Sequence, residues 1–153
     1  MLSMLWMQRL PWTWGSSIMN IMLDTHLVLW FAKGDARFPD ELLEVLQDRN
    51  NNKFVSETSL LEIEIKHAKQ PEAIGCTGSD FVSLCERGGF VLRPITREAI
   101  LAYGTLDFKA VGDLHKDPFD RLLIAHAKSE GLRLATHDRI LALYGEPCVQ
   151  VYA

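Results

Sequence analysis

Short apolar runs rich in β-forming residues alternate with helical patterns from residue 20 to the end of the chain. This alternation is typical of a parallel sheet covered by helices, because parallel strands need a long crossover connection between them. The predicted strands are IML (21 to 23), KFVS (53 to 56), FVL (90 to 92), LRLAT (132 to 136) and VQV (149 to 151). The pattern therefore predicts an α/β domain with a parallel sheet of about five strands.

Helical patterns fill the segments between these strands. They cover THLVLWFA up to Gly34, PDELLEVLQD, SLLEIEIKHAK, a segment opened by Ser79, TREAILAYGTL capped by Thr96, PFDRLLIAHA up to Gly131, and a short RILALY. Ser, Thr or Asp commonly precedes the first residue of a helix, and glycine commonly follows the last. The segments between these elements are short, which predicts a single domain.

Composition limits the class of protein. With 153 residues, 48% hydrophobic and 24% charged, the chain is typical of one core-forming domain. Its net charge of −4 provides no global attraction to nucleic acid or to an anionic membrane, so such binding would need a local patch. The three cysteines lack the C-x-x-C spacing of zinc or redox sites, and we predict buried reduced thiols and a cytoplasmic location.

The first 18 residues do not fit the repeating pattern. Pro11 interrupts their apolar run well before the roughly 20 residues needed to span a bilayer, and the basic start of a signal peptide is lacking. We therefore predict that residues 1–18 are an extension outside the fold, that the domain occupies residues 19–153, and that the protein does not insert into a membrane.

Four acidic residues are predicted to meet at one edge of the sheet. Asp24 directly follows the first strand, and Asp138 follows the fourth strand two positions after Thr136. Asp120 and Glu62 are predicted in the first turns of helices that begin at the same edge. Ligands of open parallel sheets bind beyond the carboxyl ends of the strands. The predicted cluster thus lies where this class of fold places its sites.

Helix capping is the competing explanation for two of these acids. Asp117 before Pro118 is a standard helix start, and a first-turn Asp120 is favoured by the helix dipole. However, Asp120 shares the apolar stripe of the helix, which a cap does not require. Glu62 follows Ser59 by three residues, as in a capping box, and this alternative remains open at the level of sequence.

Four carboxylates at one edge repel one another unless a cation separates them. Oxygen ligands and high charge density suit Mg²⁺ or Mn²⁺ rather than zinc, and one or two such ions between carboxylates suit phosphodiester hydrolysis. The acids therefore indicate a metal-dependent phosphodiesterase.

Four segments, in this order and spacing, carry a family resemblance: MLDTHLVLWF, VSETSLLEIEIKHA, LHKDPFDRLLIAHA and LATHDRILALYG. Over about residues 19 to 152 the chain resembles the PIN-domain ribonuclease toxins of bacterial type II toxin–antitoxin systems, the VapC-like family. The resemblance implies a three-layer fold with strand order 3-2-1-4-5, a Mg²⁺-dependent acidic site and cleavage of RNA. It also implies dimerisation and a cognate antitoxin. The family normally lacks an N-terminal extension of this kind.

The resemblance also assigns roles to residues. It matches the catalytic and metal-binding acids to Asp24, Glu62, Asp120 and Asp138. It likens Thr25 and Thr136 to hydroxyl residues that hold the acids through hydrogen bonds, and Asp117 to an extra acid that serves first as a cap and second as a neighbour of the metal.

Other polar residues are weaker candidates. Arg121 and Lys116, with His115 and Arg93, are possible phosphate contacts, although each is more often a surface charge. For His26 and His126 we expect partly buried, satisfied side chains rather than catalytic ones.

Two rival functions stand beside the nuclease. A haloacid-dehalogenase-type phosphotransferase also has Asp after its first strand, but it needs a second Asp two residues later, where this chain has His26. A non-catalytic module that keeps the fold and only binds a partner or RNA is the third possibility. The presence of all four acids favours the nuclease.

Overall fold

The computed structural model describes residues 18–153, so the predicted extension lies almost entirely outside the described residues. Five strands form one parallel sheet in the order β3-β2-β1-β4-β5, which confirms the predicted fold class and strand order. The strands are β1 (Asn20–Leu23), β2 (Asn52–Ser56), β3 (Val91–Arg93), β4 (Arg133–Thr136) and β5 (Val149–Val151).

Helices cover both faces of this sheet. They are α1 (Thr25–Lys33), α2 (Asp40–Gln47), α3 (Glu57–Lys69), α4 (Pro71–Ile74), α5 (Gly78–Arg87), α6 (Arg97–Ala102), α7 (Phe108–Val111) and α8 (Pro118–Glu130). Within the described residues, 3-10 helices span Tyr103–Thr105, Gly112–Leu114 and Arg139–Tyr144. The described residues include no helix that is long and apolar enough to cross a bilayer.

The central strand explains the three layers. Ile21, Met22 and Leu23 of β1 are all inaccessible to solvent, as expected for a parallel strand covered on both faces. Because successive strand residues point to opposite faces, Ile21 and Leu23 join one hydrophobic core and Met22 joins the other. In the second core Met22 lies with Leu123 and Ile124 of α8, which is the apolar stripe predicted for that helix.

Two helix starts differ from the prediction. Helix α3 begins at Glu57 and not at Ser59, because the Ser56 side chain accepts a hydrogen bond from the Thr58 backbone N–H. Helix α5 begins at Gly78, because Thr77 forms a capping box with Asp80. The capping box proposed for Ser59 and Glu62 is therefore wrong.

A buried polar chain links β2, α8 and β3. His126 is fully buried, its Nδ1 lies 2.8 Å from Ser56 Oγ, and its Nε2 contacts the Glu130 carboxylate. Glu130 in turn pairs with Arg93 at 3.2 Å. His126 is more deeply buried than expected, and the prediction of a satisfied side chain holds for Nδ1 only, because Nε2 has no partner with hydrogen-bond geometry among residues 18–153. Arg93 forms part of this internal chain.

The cysteines are free, as predicted. Cys85 is buried, while Cys76 and Cys148 are only half-buried. The expectation of burial is therefore confirmed for one thiol and wrong for the other two.

The order of the strands places a crevice between β1 and β4. The chain runs from β1 through β2 to β3 on one side and then crosses to β4 and β5 on the other. Neighbouring helices diverge at such a switch point, and ligands of open α/β sheets bind there, beyond the carboxyl ends of the strands. The residues following Leu23 and Thr136 line this position.

Candidate metal centre

Asp24 and Asp138 are joined through Thr136 at the switch point. Asp24 is buried and caps α1, with Oδ1 accepting from the Leu27 N–H at 3.0 Å and Oδ2 accepting from the Thr136 hydroxyl at 2.5 Å. The Thr136 hydroxyl oxygen accepts from the Asp138 N–H at 3.1 Å, and Asp138 Oδ1 accepts from the Ile140 N–H at 2.9 Å. Thr136 therefore sets the positions of two acids at once.

Asp117 and Asp120 divide two tasks at the start of α8. Asp117 is the N-cap, and its Oδ1 accepts from the N–H groups of Phe119 at 2.8 Å and Asp120 at 3.4 Å. Asp120 lies in the first turn, half-buried, and it accepts no backbone N–H from residues 18–153. The carboxylate of Asp120 is therefore not used for capping and is available for another role.

Glu62 lies in the second turn of α3, so its predicted place in the first turn is wrong. Its side chain is nevertheless turned inward, with 1% of the residue exposed. Glu62 Oε1 accepts from the Thr25 hydroxyl at 2.6 Å, and Oε2 forms a close ion pair with Lys66. Ser59 Oγ lies 2.8 Å from Thr25 Oγ1. Because the single Thr25 hydroxyl hydrogen is directed to the carboxylate, the Ser59 hydroxyl donates to Thr25. Glu62 is therefore held by Thr25 on one side and by Lys66 on the other.

Glu64 is directed away from this cluster. It is exposed, and its Oε1 accepts from the Gly78 N–H at 2.8 Å, at the start of α5. A Cβ at position 78 would lie 2.1 Å from that oxygen, so this approach requires glycine. The two glutamates of LEIEI therefore face different surroundings.

The acids lie close enough to repel. The pKa of Asp120 is raised to about 6, mainly by burial and in part by the negative charges of Asp117, Asp24 and Glu62, while a hydrogen bond from His115 opposes the shift. Burial also raises the pKa of Asp24, with Glu62 adding to the shift, while bonds from Thr136 and Leu27 oppose it. The like-charge conflict expected from the sequence is therefore present among Asp24, Glu62 and Asp120.

His115 is part of this cluster, which sequence analysis missed. It is buried, with Nε2 3.0 Å from Asp120 Oδ2 and Nδ1 2.7 Å from the Tyr144 hydroxyl oxygen. Ligand-type atoms of His115, Asp120 and Asp138 lie within 4.8 Å of one another. The expectation of a surface charge at His115 is wrong. The available signal was its position in HKDPFD, but a loop residue has no periodicity from which its direction could be predicted.

Arg121 stabilises the position of His115 through the Tyr144 hydroxyl and the His115 carbonyl. Its Nε donates to the Tyr144 hydroxyl oxygen at 2.8 Å, a guanidinium NH₂ donates to the His115 carbonyl at 2.7 Å, and the guanidinium lies 4.8 Å from the Phe108 ring centroid. Lys116, the other predicted RNA contact, is exposed and pairs with Asp113 at 3.0 Å. Of the two cations, only Lys116 is free to swing towards a ligand.

The donor set fits a divalent cation. Asp24, Glu62, Asp120 and Asp138 offer the hard oxygen ligands that Mg²⁺ and Mn²⁺ prefer. A cation among them would relieve the repulsion that, together with burial, raises the pKa of Asp120. Lys66 offsets part of the charge of Glu62 only.

Comparisons with known proteins agree with this architecture. A family model described as PIN domain matches residues 21–147. No curated protein matches the sequence significantly.

Several solved structures share the fold. VapBC2 from Rickettsia felis, bound to a DNA fragment from its promoter, aligns with a TM-score of 0.60 at 19% identity over 88% of this chain and 100% of that chain. VapBC-1 from nontypeable Haemophilus influenzae aligns with a TM-score of 0.62 at 17% identity, over 88% of this chain and 98% of that chain. FitAcB from Neisseria gonorrhoeae aligns with a TM-score of 0.51 at 19% identity, over 87% of this chain and 96% of that chain.

Proposed function

Because the chain belongs to the PIN domain family, we propose that it is a metal-dependent endoribonuclease that hydrolyses phosphodiester bonds of RNA. The observation that carries this proposal is the group of ligand atoms of His115, Asp120 and Asp138 within 4.8 Å of one another. Asp24 is tied to Asp138 through Thr136, and the negative charges of Asp24 and Glu62 contribute to the raised pKa of Asp120. Such crowding costs stability without a cation, and a site for chemistry is a sufficient reason to retain it.

Mg²⁺, or Mn²⁺, is the proposed cofactor, held by the four acids. The bound ion supplies positive charge that polarises the scissile phosphate and lowers the pKa of a nearby water. Thr136 orients Asp24 and Asp138, Thr25 and Lys66 hold Glu62, and His115 holds Asp120. Asp117 keeps the first turn of α8 in place.

We further propose that the protein is the toxin of a toxin–antitoxin pair in the cytoplasm, with RNA as substrate, a cognate antitoxin as inhibitor and a homodimer as its assembly. VapBC complexes among the structural relatives support this proposal. Lys116, exposed beside the acids, is the proposed RNA contact.

The direct test is cleavage of RNA by the purified protein. We expect a labelled single-stranded RNA to be cut in millimolar Mg²⁺ or Mn²⁺ and left intact in EDTA. Thermal melts under the same two conditions should show stabilisation by the metal, since an ion that binds only the folded state stabilises it. If neither cleavage nor metal stabilisation is found, the chain is a non-catalytic binding module.

A prediction concerns the hydroxyl of Tyr144. An ionised Asp120 oxygen can only accept, so a neutral His115 donates from Nε2 and accepts at Nδ1 from the Tyr144 hydroxyl. Tyr144→Phe removes the hydroxyl that donates to His115 Nδ1 and accepts from Arg121 Nε, so the imidazole ring is no longer held in this orientation. We expect the affinity for Mn²⁺ to fall by about tenfold, the lower end of the range for residues that orient metal ligands. Calorimetric titration of the metal-free proteins with Mn²⁺ measures this affinity.

Tyr152→Phe is the matched control. Tyr152 is equally buried, but its hydroxyl has no hydrogen-bond partner among residues 18–153. Its removal should leave metal affinity unchanged and stability equal or slightly higher. Equal losses of affinity in the two variants would show that Tyr144 acts only through packing.

A further inference from the structure

We propose that a pocket at the switch point binds one unstacked base of single-stranded RNA, against an aromatic corner formed by Trp30 and His137. The choice of RNA as ligand rests on the proposed function. The groups that would hold the base and its phosphate, Trp30, His137 and Arg139, have no role in the metal centre, although Asp24 and Asp138 also line the pocket.

The pocket lies directly beside two of the acids. Its volume is about 340 Å³, within the roughly 300 to 1,000 Å³ typical of small-molecule sites. It is lined by Asp24, His26, Trp30, His137, Asp138 and Arg139. One wall is the first part of α1, which follows β1, and the other is the turn after β4. A group held here would therefore lie next to the reacting phosphate.

Two aromatic rings form a corner in this pocket. The ring centroids of Trp30 and His137 are 5.1 Å apart, and the planes meet at 72°, so the rings form two walls and not a stack. A flat base could lie against one ring and present its edge to the other. Base–aromatic stacking is tolerant of sequence because every base has a π face. The corner would therefore hold a base without strictly selecting it.

Both rings are fixed in advance. The His137 side chain is exposed, yet its Nδ1 donates to the Tyr152 carbonyl at 2.9 Å, which sets both the tautomer and the ring plane. The Trp30 ring is covered by the Arg37 guanidinium at 4.7 Å from its centroid, and Arg37 is held by Asp35. A site that is ordered before binding avoids an entropic cost when the ligand arrives.

Arg139 provides the charge that a phosphate needs. It is exposed at the start of the 3-10 helix and forms no ion pair with any residue between 18 and 153. Since the net charge of the chain is −4, an RNA strand can be attracted only by local cations of this kind. His26 lies four residues before Trp30, on the same face of α1, and it is exposed, contrary to the expectation of partial burial.

The test measures binding without cleavage. A fluorescently labelled single-stranded hexaribonucleotide is titrated in EDTA, and its anisotropy is followed. His137→Leu removes the aromatic ring, and we expect about tenfold weaker binding, as for the loss of one stacked base. His137→Phe should restore most of the affinity, because the ring is retained while the hydrogen bond to Tyr152 is not. Equal binding by His137→Leu and wild type would overturn the proposal.

A second measurement varies the bases of the RNA in both the wild type and His137→Leu. Removing one base at a time from the oligonucleotide should weaken binding to the wild type at one position more than at the others. At that position the same removal should have little effect in His137→Leu, since the stacking partner is already absent. Losses spread evenly along the strand, or the same losses in both proteins, would contradict a single base site.

The charge is tested by salt dependence. In Arg139→Gln the slope of log K against log salt should become shallower by about 0.7, as for one lost contact with a single strand. Arg133→Gln is the matched control, because Arg133 is exposed on β4 at the other end of the strand and contacts Gln150. An unchanged slope in Arg139→Gln would contradict a phosphate contact there.

The outcomes separate this inference from the proposed function. A protein that cuts RNA but binds it equally well with and without the His137 ring refutes only the aromatic corner. A protein that neither cuts nor binds single-stranded RNA refutes both.

Discussion

Asp120→Asn is expected to make the metal-free protein as stable as the wild type or more stable, and to abolish both metal stabilisation and RNA cleavage. The Asn side chain keeps the volume and can still accept from His115, but it removes a charge that lies near Asp24 and Glu62. We expect a gain of about 1 kcal/mol in the free energy of unfolding near neutral pH in EDTA.

The gain should depend on pH in a defined direction. Folding raises the pKa of Asp120 from 3.8 to about 6, so the folded state favours the protonated carboxyl. The contribution of Asp120 to stability is then highest below about pH 4 and is lost as the pH rises to about 6. The difference between variant and wild type in EDTA should therefore grow between pH 4 and 6 and stay constant above. Urea unfolding at a series of pH values measures it.

In magnesium, the wild type should be more stable than Asp120→Asn, the reverse of the order expected in EDTA. At 100 times its dissociation constant, an ion that binds only the folded wild type adds about 2.7 kcal/mol to the free energy of unfolding. Most of this increment should be lost in Asp120→Asn. Asp117→Asn is the control, because Asn caps a helix nearly as well as Asp, and the metal response should persist. If Asp120→Asn responds normally to magnesium while Asp117→Asn does not, the two roles are exchanged.

Glu62→Gln is expected to bring magnesium-dependent cleavage below detection, whereas Glu64→Gln should leave it largely intact. Gln at position 62 can still accept from Thr25 but no longer offers a charged oxygen, and it leaves Lys66 without its partner. Because Lys66 is 40% exposed at its side chain and can turn to solvent, we expect a loss of stability of only about 1 kcal/mol. Gln at position 64 can still accept from the Gly78 N–H.

Single-turnover cleavage of one RNA substrate by both variants, at matched magnesium, provides the comparison. Melting temperatures in EDTA show whether either protein is misfolded. Similar losses of cleavage from the two substitutions would mean that the inward and outward faces of α3 have been assigned incorrectly.

The strands and the placement of Asp24 and Asp138 could be predicted because they depend on local rules. A buried parallel strand is a continuous apolar run, and the residue directly after it lies at the carboxyl edge whatever the rest of the chain does. The capping role of Asp117 was predictable for the same reason, since Asp before Pro is sufficient to identify it.

The errors arose where two local signals were equally good or where tertiary contacts decided. Ser56 and Ser59 are both acceptable caps, and the choice of Ser56 moved Glu62 from the first turn to the second without changing its inward direction. His115 is buried because Tyr144 and Asp120, from two other elements, meet its ring nitrogens. No pattern within a loop contains that information.

The capping role of Asp24 affects what its presence means in a sequence of this kind. One oxygen closes the first turn of α1 and the other accepts from Thr136, so replacement by alanine would cost about 1 kcal/mol for the cap alone. A lineage that lost the activity would still be selected to keep this aspartate for folding. Asp120 provides no such cap, and a descendant without catalysis would gain stability by discarding it. For judging whether a related chain is still an active enzyme, the acid at position 120 is therefore the more informative of the two.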